Sequence, residues 1–325
     1  MSEPFLLLAS ILPSGLVSLP PTPFPVQPQH PRWATFNIRK MVKSALPVAQ
    51  AYPVITNTTQ PEFSSSNQAN TIVNFSNPVA KKNPVSGSQL YQLRKAALKA
   101  GKLYTRVRAD YFYDDWSTAT KQPTYGQWKH LLAQEARAVG SGQGNNKLGV
   151  IVGDSLSMWF PSQLLPYGKL WLNQGISGEN SAQVLRRLQN LDSTRPDNIY
   201  VMVGVNDLRQ GATDATIFNN TKSIVRRLRQ NHPQSQIVVQ SILPTNSQSF
   251  SNQRIQNLNR QIMAMVQKEG ANYLNLYPLF LDGENKMRKE LTTDGIHLST
   301  QGYQVWQRAL QRAENLLALR IENIN

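Results

Sequence analysis

The chain has 325 residues, enough for one large domain or two modest ones, and its hydrophobic fraction of 40% supports a packed core. With no cysteine it has no disulfide framework, no thiolate metal site and no cysteine nucleophile. A formal net charge of +15 suits an anionic partner such as nucleic acid, an acidic polysaccharide or a membrane surface, without choosing among them.

Residues 1–88 hold thirteen of the twenty prolines and a Ser/Asn/Thr-rich stretch at 64–70. Such a segment cannot pair its backbone regularly or bury enough apolar surface to offset ordering entropy, so it is expected to be mostly disordered. The apolar run 4–19 is shorter than the ~20 residues that span a bilayer, and Pro13 interrupts it. It lacks the basic start of a secretory signal, although Ala49-Gln50-Ala51 has the look of a cleavage site. The compartment stays open, with cytoplasm favoured over cell envelope or secretion.

From 88 to 102, Leu90, Leu93, Ala97 and Leu98 recur at helical spacing with basic residues on the other side. A second helix is expected over 125–139, carrying Trp128, Leu131, Leu132 and Glu135, followed by a glycine-rich linker at 140–144. Residues 89–145 therefore read as a helical extension and linker. Residues 1–145 contain fifteen Lys/Arg and six Asp/Glu, so most of the basic excess is N-terminal. That region is the candidate for contact with an anionic surface; no specific nucleic acid is expected as a partner.

Beyond residue 146 short apolar runs alternate with longer amphipathic ones. Strands are expected at 148–152, 170–173, 199–203, 237–241 and 273–276, with helices at 181–191, 214–230, 252–268 and 301–319. Ile217, Ile224, Val225 and Leu228 illustrate the helical spacing. Strand and helix in alternation imply right-handed crossovers, hence an α/β domain over 146–325 with a parallel sheet of about five strands between two helical layers. Its ligand site should lie beyond the carboxyl ends of the strands. Arg186-Arg187 and Arg226-Arg227, with Arg229, read as solvated helix faces. Trp159, Phe160 and Tyr167 fit either the core or a substrate pocket.

The strand ends carry the chemistry. The first is followed by Gly153-Asp154-Ser155-Leu156-Ser157, the second by Gly175-Ile176-Ser177-Gly178 and the third by Gly204-Val205-Asn206-Asp207. A nucleophilic serine needs a base, a group orienting that base, and donors for the oxyanion. Of the four histidines, His30 lies in the proline-rich tail, His130 on a helix ahead of the domain, and His232 at the opposite end of the sheet. His297 remains, in Thr293-Asp294-Gly295-Ile296-His297 at the start of the last helix, with Asp294 placed to hold its tautomer. Asp154 could order its turn by hydrogen bonding, and Asp207 is a candidate for structural work. No HExxH or similar metal spacing occurs, and no phosphate-binding glycine fingerprint.

Taken together, GDSLS at 153–157, NQGISG at 173–178, GVND at 204–207 and DGIH at 294–297 stand in the order found in the SGNH hydrolase superfamily, the GDSL esterases and lipases, which this chain resembles over about 147–319. The resemblance implies a three-layer α/β/α sandwich with a flavodoxin-like sheet. It also implies Ser155 as nucleophile, His297 as general base and Asp294 as its orienting carboxylate. The oxyanion hole it implies combines the N–H groups of Ser155 and Gly175 with the Asn206 side chain. No cofactor is implied. The expected substrate is a carboxylic ester, with a lean towards a small acyl group on a carbohydrate. The alternatives are an acyltransferase using a glycan hydroxyl as acceptor, or a non-enzymatic basic binding protein.

Overall fold

The computed structural model describes residues 83–322, with side chains up to residue 319. The proline-rich segment expected to be disordered lies, but for its last six residues, outside the described residues. The first described helices are α1 (Gly87–Lys99), the single turn α2 (Tyr113–Trp116) and α3 (Tyr125–Gly142). Thr124 starts α3 with a reciprocal capping box to Gln127, satisfying two backbone donors at once.

The glycine-rich linker expected at 140–144 is instead largely helix, since α3 continues to Gly142. Gly140 is there for close packing: a Cβ at that position would sit 2.4 Å from the Ser193 carbonyl oxygen.

Five parallel strands follow: β1 (Leu148–Gly153), β2 (Leu170–Gly175), β3 (Asn198–Met202), β4 (Gln236–Gln240) and β5 (Asn272–Leu274). Their order in the sheet is β2-β1-β3-β4-β5. Gly153 pairs with Gly175 on one side and with Met202 on the other, so these strand ends finish level with one another. After β1 the chain first steps outward to β2 and then returns across β1 to β3. The crevice of such a sheet opens where the winding reverses, beyond the ends of β1 and β3.

The helices between the strands are α4 (Ser155–Met158), α5 (Ser181–Arg187), α6 (Val205–Arg209), α7 (Asp214–Asn231) and α8 (Asn252–Lys268), and α9 (Thr300–Glu322) closes the described chain. Strand side chains alternate between two cores, as the period of two requires. Ile151, Tyr200, Met202 and Val238 pack with Trp306, Leu310 and Ala313 of α9. Val150, Val152, Ile199 and Val201 pack with Val139, Val184, Ile224 and Leu228. Helices therefore cover both faces of the sheet, as expected. No helix among the described residues is long and apolar enough to cross a membrane.

The helices ahead of the sheet share its core. Leu90, Leu93, Trp128, Leu131 and Leu132 form one buried cluster with Met158 of α4 and Ile176 of the loop after β2. Two basic residues assigned to solvated faces are also buried. Arg94 pairs with Glu135 and donates to the Asn173 carbonyl at 2.7 Å, and Arg187 pairs with Glu179. Burial pushes the Glu135 carboxyl upward, and the guanidinium of Arg94 opposes that push.

Candidate active site

Ser155 is the first residue of α4, immediately after the end of β1. Asp154 caps the helix, its Oδ1 accepting from the Leu156 N–H at 3.0 Å. An N–H at the first helical position has no intrahelical acceptor, so that of Ser155 is available to a bound group. The side chain is 7% exposed, so the nucleophile is nearly withdrawn from solvent.

His297 Nε2 lies 3.1 Å from Ser155 Oγ, across 142 residues of chain. On its other side the ring Nδ1 is 2.6 Å from Asp294 Oδ2. The second carboxylate oxygen of Asp294 accepts from the His297 and Ile296 N–H groups at 2.7 and 3.0 Å, so the carboxylate is fixed by the loop it orients. Partial burial pushes the Asp294 carboxyl up, but the bonds from the His297 ring and the two N–H groups outweigh it and hold it below the usual carboxylate range. A carboxylate on Nδ1 leaves Nε2 as the acceptor facing the hydroxyl, the tautomer that proton abstraction requires.

Asn206, at the start of α6, donates from Nδ2 to the Glu179 carbonyl at 3.0 Å. The amide has two N–H groups, which leaves one for a ligand. Gly175 departs from expectation: its N–H donates to Asn173 Oδ1 at 2.9 Å and is not free for an oxyanion. Close packing explains the glycine, because a Cβ there would sit 2.3 Å from the Met158 backbone nitrogen. Asn173 also donates to the Ser157 carbonyl at 2.7 Å, tying this loop to the nucleophile's helix. Three residues on, Gly178 has φ +82° and an N–H without an acceptor among the described residues, next to the carbonyl that holds Asn206. Its signal was present in the sequence as the second glycine of the same loop.

Asp207 accepts from the N–H of Ser181 at 2.8 Å and from its hydroxyl, work of the structural kind expected. Asp154 is stranger. Its second oxygen is buried without a partner among the described residues, and burial, more than the nearby Asp207 and Glu179, pushes the carboxyl up to about 7 despite the Leu156 N–H and His297. Of the aromatic residues left open, Phe160 is core, Trp159 half-buried and Tyr167 exposed.

A hydroxyl, an imidazole and a carboxylate in series at the carboxyl edge of a parallel sheet define the class: a serine hydrolase on an α/β scaffold. Comparison with known proteins narrows it. Residues 140–305 match the GDSL-like lipase/acylhydrolase family, and the chain belongs to that family, whose members hydrolyse esters. Platelet-activating factor acetylhydrolase IB subunit alpha1 of Pongo abelii is 30% identical over 200 residues, covering 57% of this chain and 81% of that protein. The Homo sapiens protein of the same name shows the same identity and coverage. A solved structure described as a platelet activating factor, from Streptococcus pneumonia, aligns with a TM-score of 0.51 at 25% identity, covering 59% of this chain and 93% of that one.

Proposed function

We propose that this protein hydrolyses short-chain carboxylic esters by a two-step acyl transfer. His297 takes the proton of Ser155 as Oγ attacks the ester carbonyl, and the resulting oxyanion accepts hydrogen bonds from the Ser155 N–H, the Asn206 amide and the Gly178 N–H. The tetrahedral intermediate collapses, and His297 delivers the proton to the leaving alcohol. Water, deprotonated by the same imidazole, then attacks the acyl-enzyme and releases the acid and the free hydroxyl. Asp294 stays ionised throughout and stabilises the imidazolium.

The observation that carries the reading is the relay itself, 3.1 Å from Ser155 Oγ to His297 Nε2 and 2.6 Å from Nδ1 to Asp294 Oδ2. The acyl group is assigned as acetyl or of similar size, supported by relatives named as acetylhydrolases at 30% identity. The alcohol is taken to be a hydroxyl of a carbohydrate or a comparably small polar molecule.

The test combines labelling with a fluorophosphonate probe and turnover of p-nitrophenyl esters of increasing acyl length. Ser155 should carry the label, Ser155→Ala should lose both label and turnover, and kcat/KM should be greatest for the acetyl ester. Equal labelling of both proteins would remove Ser155 from its role, and a preference for long chains would overturn the acyl assignment.

A further inference from the structure

Glu179 takes no part in the acyl transfer described above, yet directly or through Arg187 it is tied to three of the segments that hold the reacting groups. It lies in the loop after β2, its side chain 1% exposed. Arg187, also buried, donates from Nε to both carboxylate oxygens at 2.9 and 2.7 Å, and its Nη2 reaches the Gly153 carbonyl at 3.1 Å. Gly153 is the last residue of β1, two positions before the nucleophile. Meanwhile the backbone carbonyl of Glu179 accepts from Asn206 Nδ2. Glu179 and Arg187 together thus connect the end of β1, the glycine loop and the amide after β3.

The remaining contact comes from outside the family-matched region. Tyr125, at the first position of α3, donates its hydroxyl to Glu179 Oε1 at 3.0 Å. Of the two side chains that donate to this carboxylate among the described residues, it is the one from the helices ahead of the sheet. Helix capping does not require it, because Thr124 and Gln127 perform that task. Core packing does not require it either, since the residue is 39% exposed and Lys129 Nζ sits over its ring, 4.8 Å from the centroid. What is particular about the side chain is where it places its oxygen.

We propose that Tyr125 is a positioning residue for the oxyanion donors, its hydroxyl fixing the Glu179 carboxylate and through it the backbone carbonyl that orients the Asn206 amide. This rests on the acyl-transfer reading. A carboxylate offers about four acceptor sites, and Arg187 grips it from one side, with Nε on both oxygens and Nη2 2.5 Å from Oε2. Tyr125 donates to Oε1 from a different element and so fixes the carboxylate relative to α3. The Glu179 carbonyl is on the same residue, next to Gly178, so freedom in the side chain becomes freedom in both donors. Oxyanion donors act over about 2.7–3.1 Å, which makes a displacement of a few tenths of an ångström costly in turnover and nearly silent in substrate binding.

The test is a double-mutant cycle on the full chain with p-nitrophenyl acetate, using Tyr125→Phe, Asn206→Ala and both together. Asn206→Ala should lower kcat by about 10²–10³-fold. Tyr125→Phe should lower kcat by roughly 3–10-fold with KM unchanged, and leave Tm within about a degree, because it deletes one partly exposed hydroxyl. In the Asn206→Ala background the same change should have little further effect, since the group it acts through is gone. A Tyr125→Phe enzyme with normal kcat, a change in KM alone, or the full loss persisting without Asn206 would each overturn the proposal. Ser155→Ala separates the two readings. If that variant stays active, the acyl-transfer reading falls and takes this one with it; if it is inactive beside an unaffected Tyr125→Phe, the positioning role alone is wrong.

Discussion

Asp154 stands beside the nucleophile with one oxygen committed to the Leu156 N–H and the other buried without a partner among the described residues. Burial, the largest influence, lifts its carboxyl to about 7 from an ordinary 3.8. Between these values the folded protein holds a proton that the unfolded chain has released. The stability this group contributes is therefore complete below about pH 4 and is lost as pH rises through 7. Asp154→Asn removes the titration yet retains a cap, because an amide oxygen also accepts from Leu156. Urea unfolding from pH 4 to pH 8 should show the wild type losing stability relative to Asp154→Asn, with a slope approaching about 1.4 kcal/mol per pH step of one in the middle of that range. Parallel curves would mean that Asp154 ionises as freely in the folded state as in the unfolded one.

At this scale the sequence was legible where a residue type had few competitors. Of four histidines, three are badly placed, which singles out His297 at the start of the last helix, and the hydroxyl of Ser155 lies beside it. The resemblance implies the Gly175 N–H as an oxyanion donor, but the polar side chain two residues earlier claims it. A strand pattern records which side chains face the core. It does not record which backbone donor an asparagine will take.

The elements show the same division. All five strands and the long crossover helices were readable from period, because burial on one or both faces imposes it. Buried charges were the exception. Arg94 falls four residues after Leu90 and three before Ala97, and Arg187 three after Val184, so both lie on apolar stripes. Classing them by charge sent them to solvent, whereas their positions put them inside, where Glu135 and Glu179 meet them. Arg94 is fully buried and Glu135 is 3% exposed, so removing one partner leaves the other uncompensated. Glu135→Ala should cost about 3–5 kcal/mol. By calorimetry that is a fall in Tm on the order of 10 °C for a domain of this size. Arg94→Met with Glu135→Leu should recover much of it, since a well-packed apolar pair escapes the desolvation cost. A Glu135→Ala protein that melts with the wild type would show that Arg94 finds water or another acceptor.

For the whole molecule the question is where the folding unit begins. The family match starts at residue 140, and the change in sequence texture suggests a boundary near 146. The structure draws α1 and α3 into the same unit. Trp128, Leu131, Leu132, Leu90 and Leu93 cover Met158 and Ile176, beside the nucleophile and in the glycine loop. Gln174 donates to the Leu132 carbonyl at 3.1 Å, Arg94 to that of Asn173 at 2.7 Å, and Tyr125 to Glu179. Each fully buried large apolar side chain contributes about 1.5–3 kcal/mol, so five of them amount to roughly 10 kcal/mol. That is comparable with the 5–15 kcal/mol that typically separates a folded domain from its unfolded state. A chain beginning at Lys147 therefore keeps Ser155, Asp294 and His297 but exposes the surface under α4 and the loop after β2. It should lack a cooperative thermal transition and react with a fluorophosphonate at a small fraction of the full chain's rate. If it instead melts sharply and turns over acetyl esters like the full chain, the helices ahead of the sheet are an attachment, and the positioning role given to Tyr125 falls with their structural one.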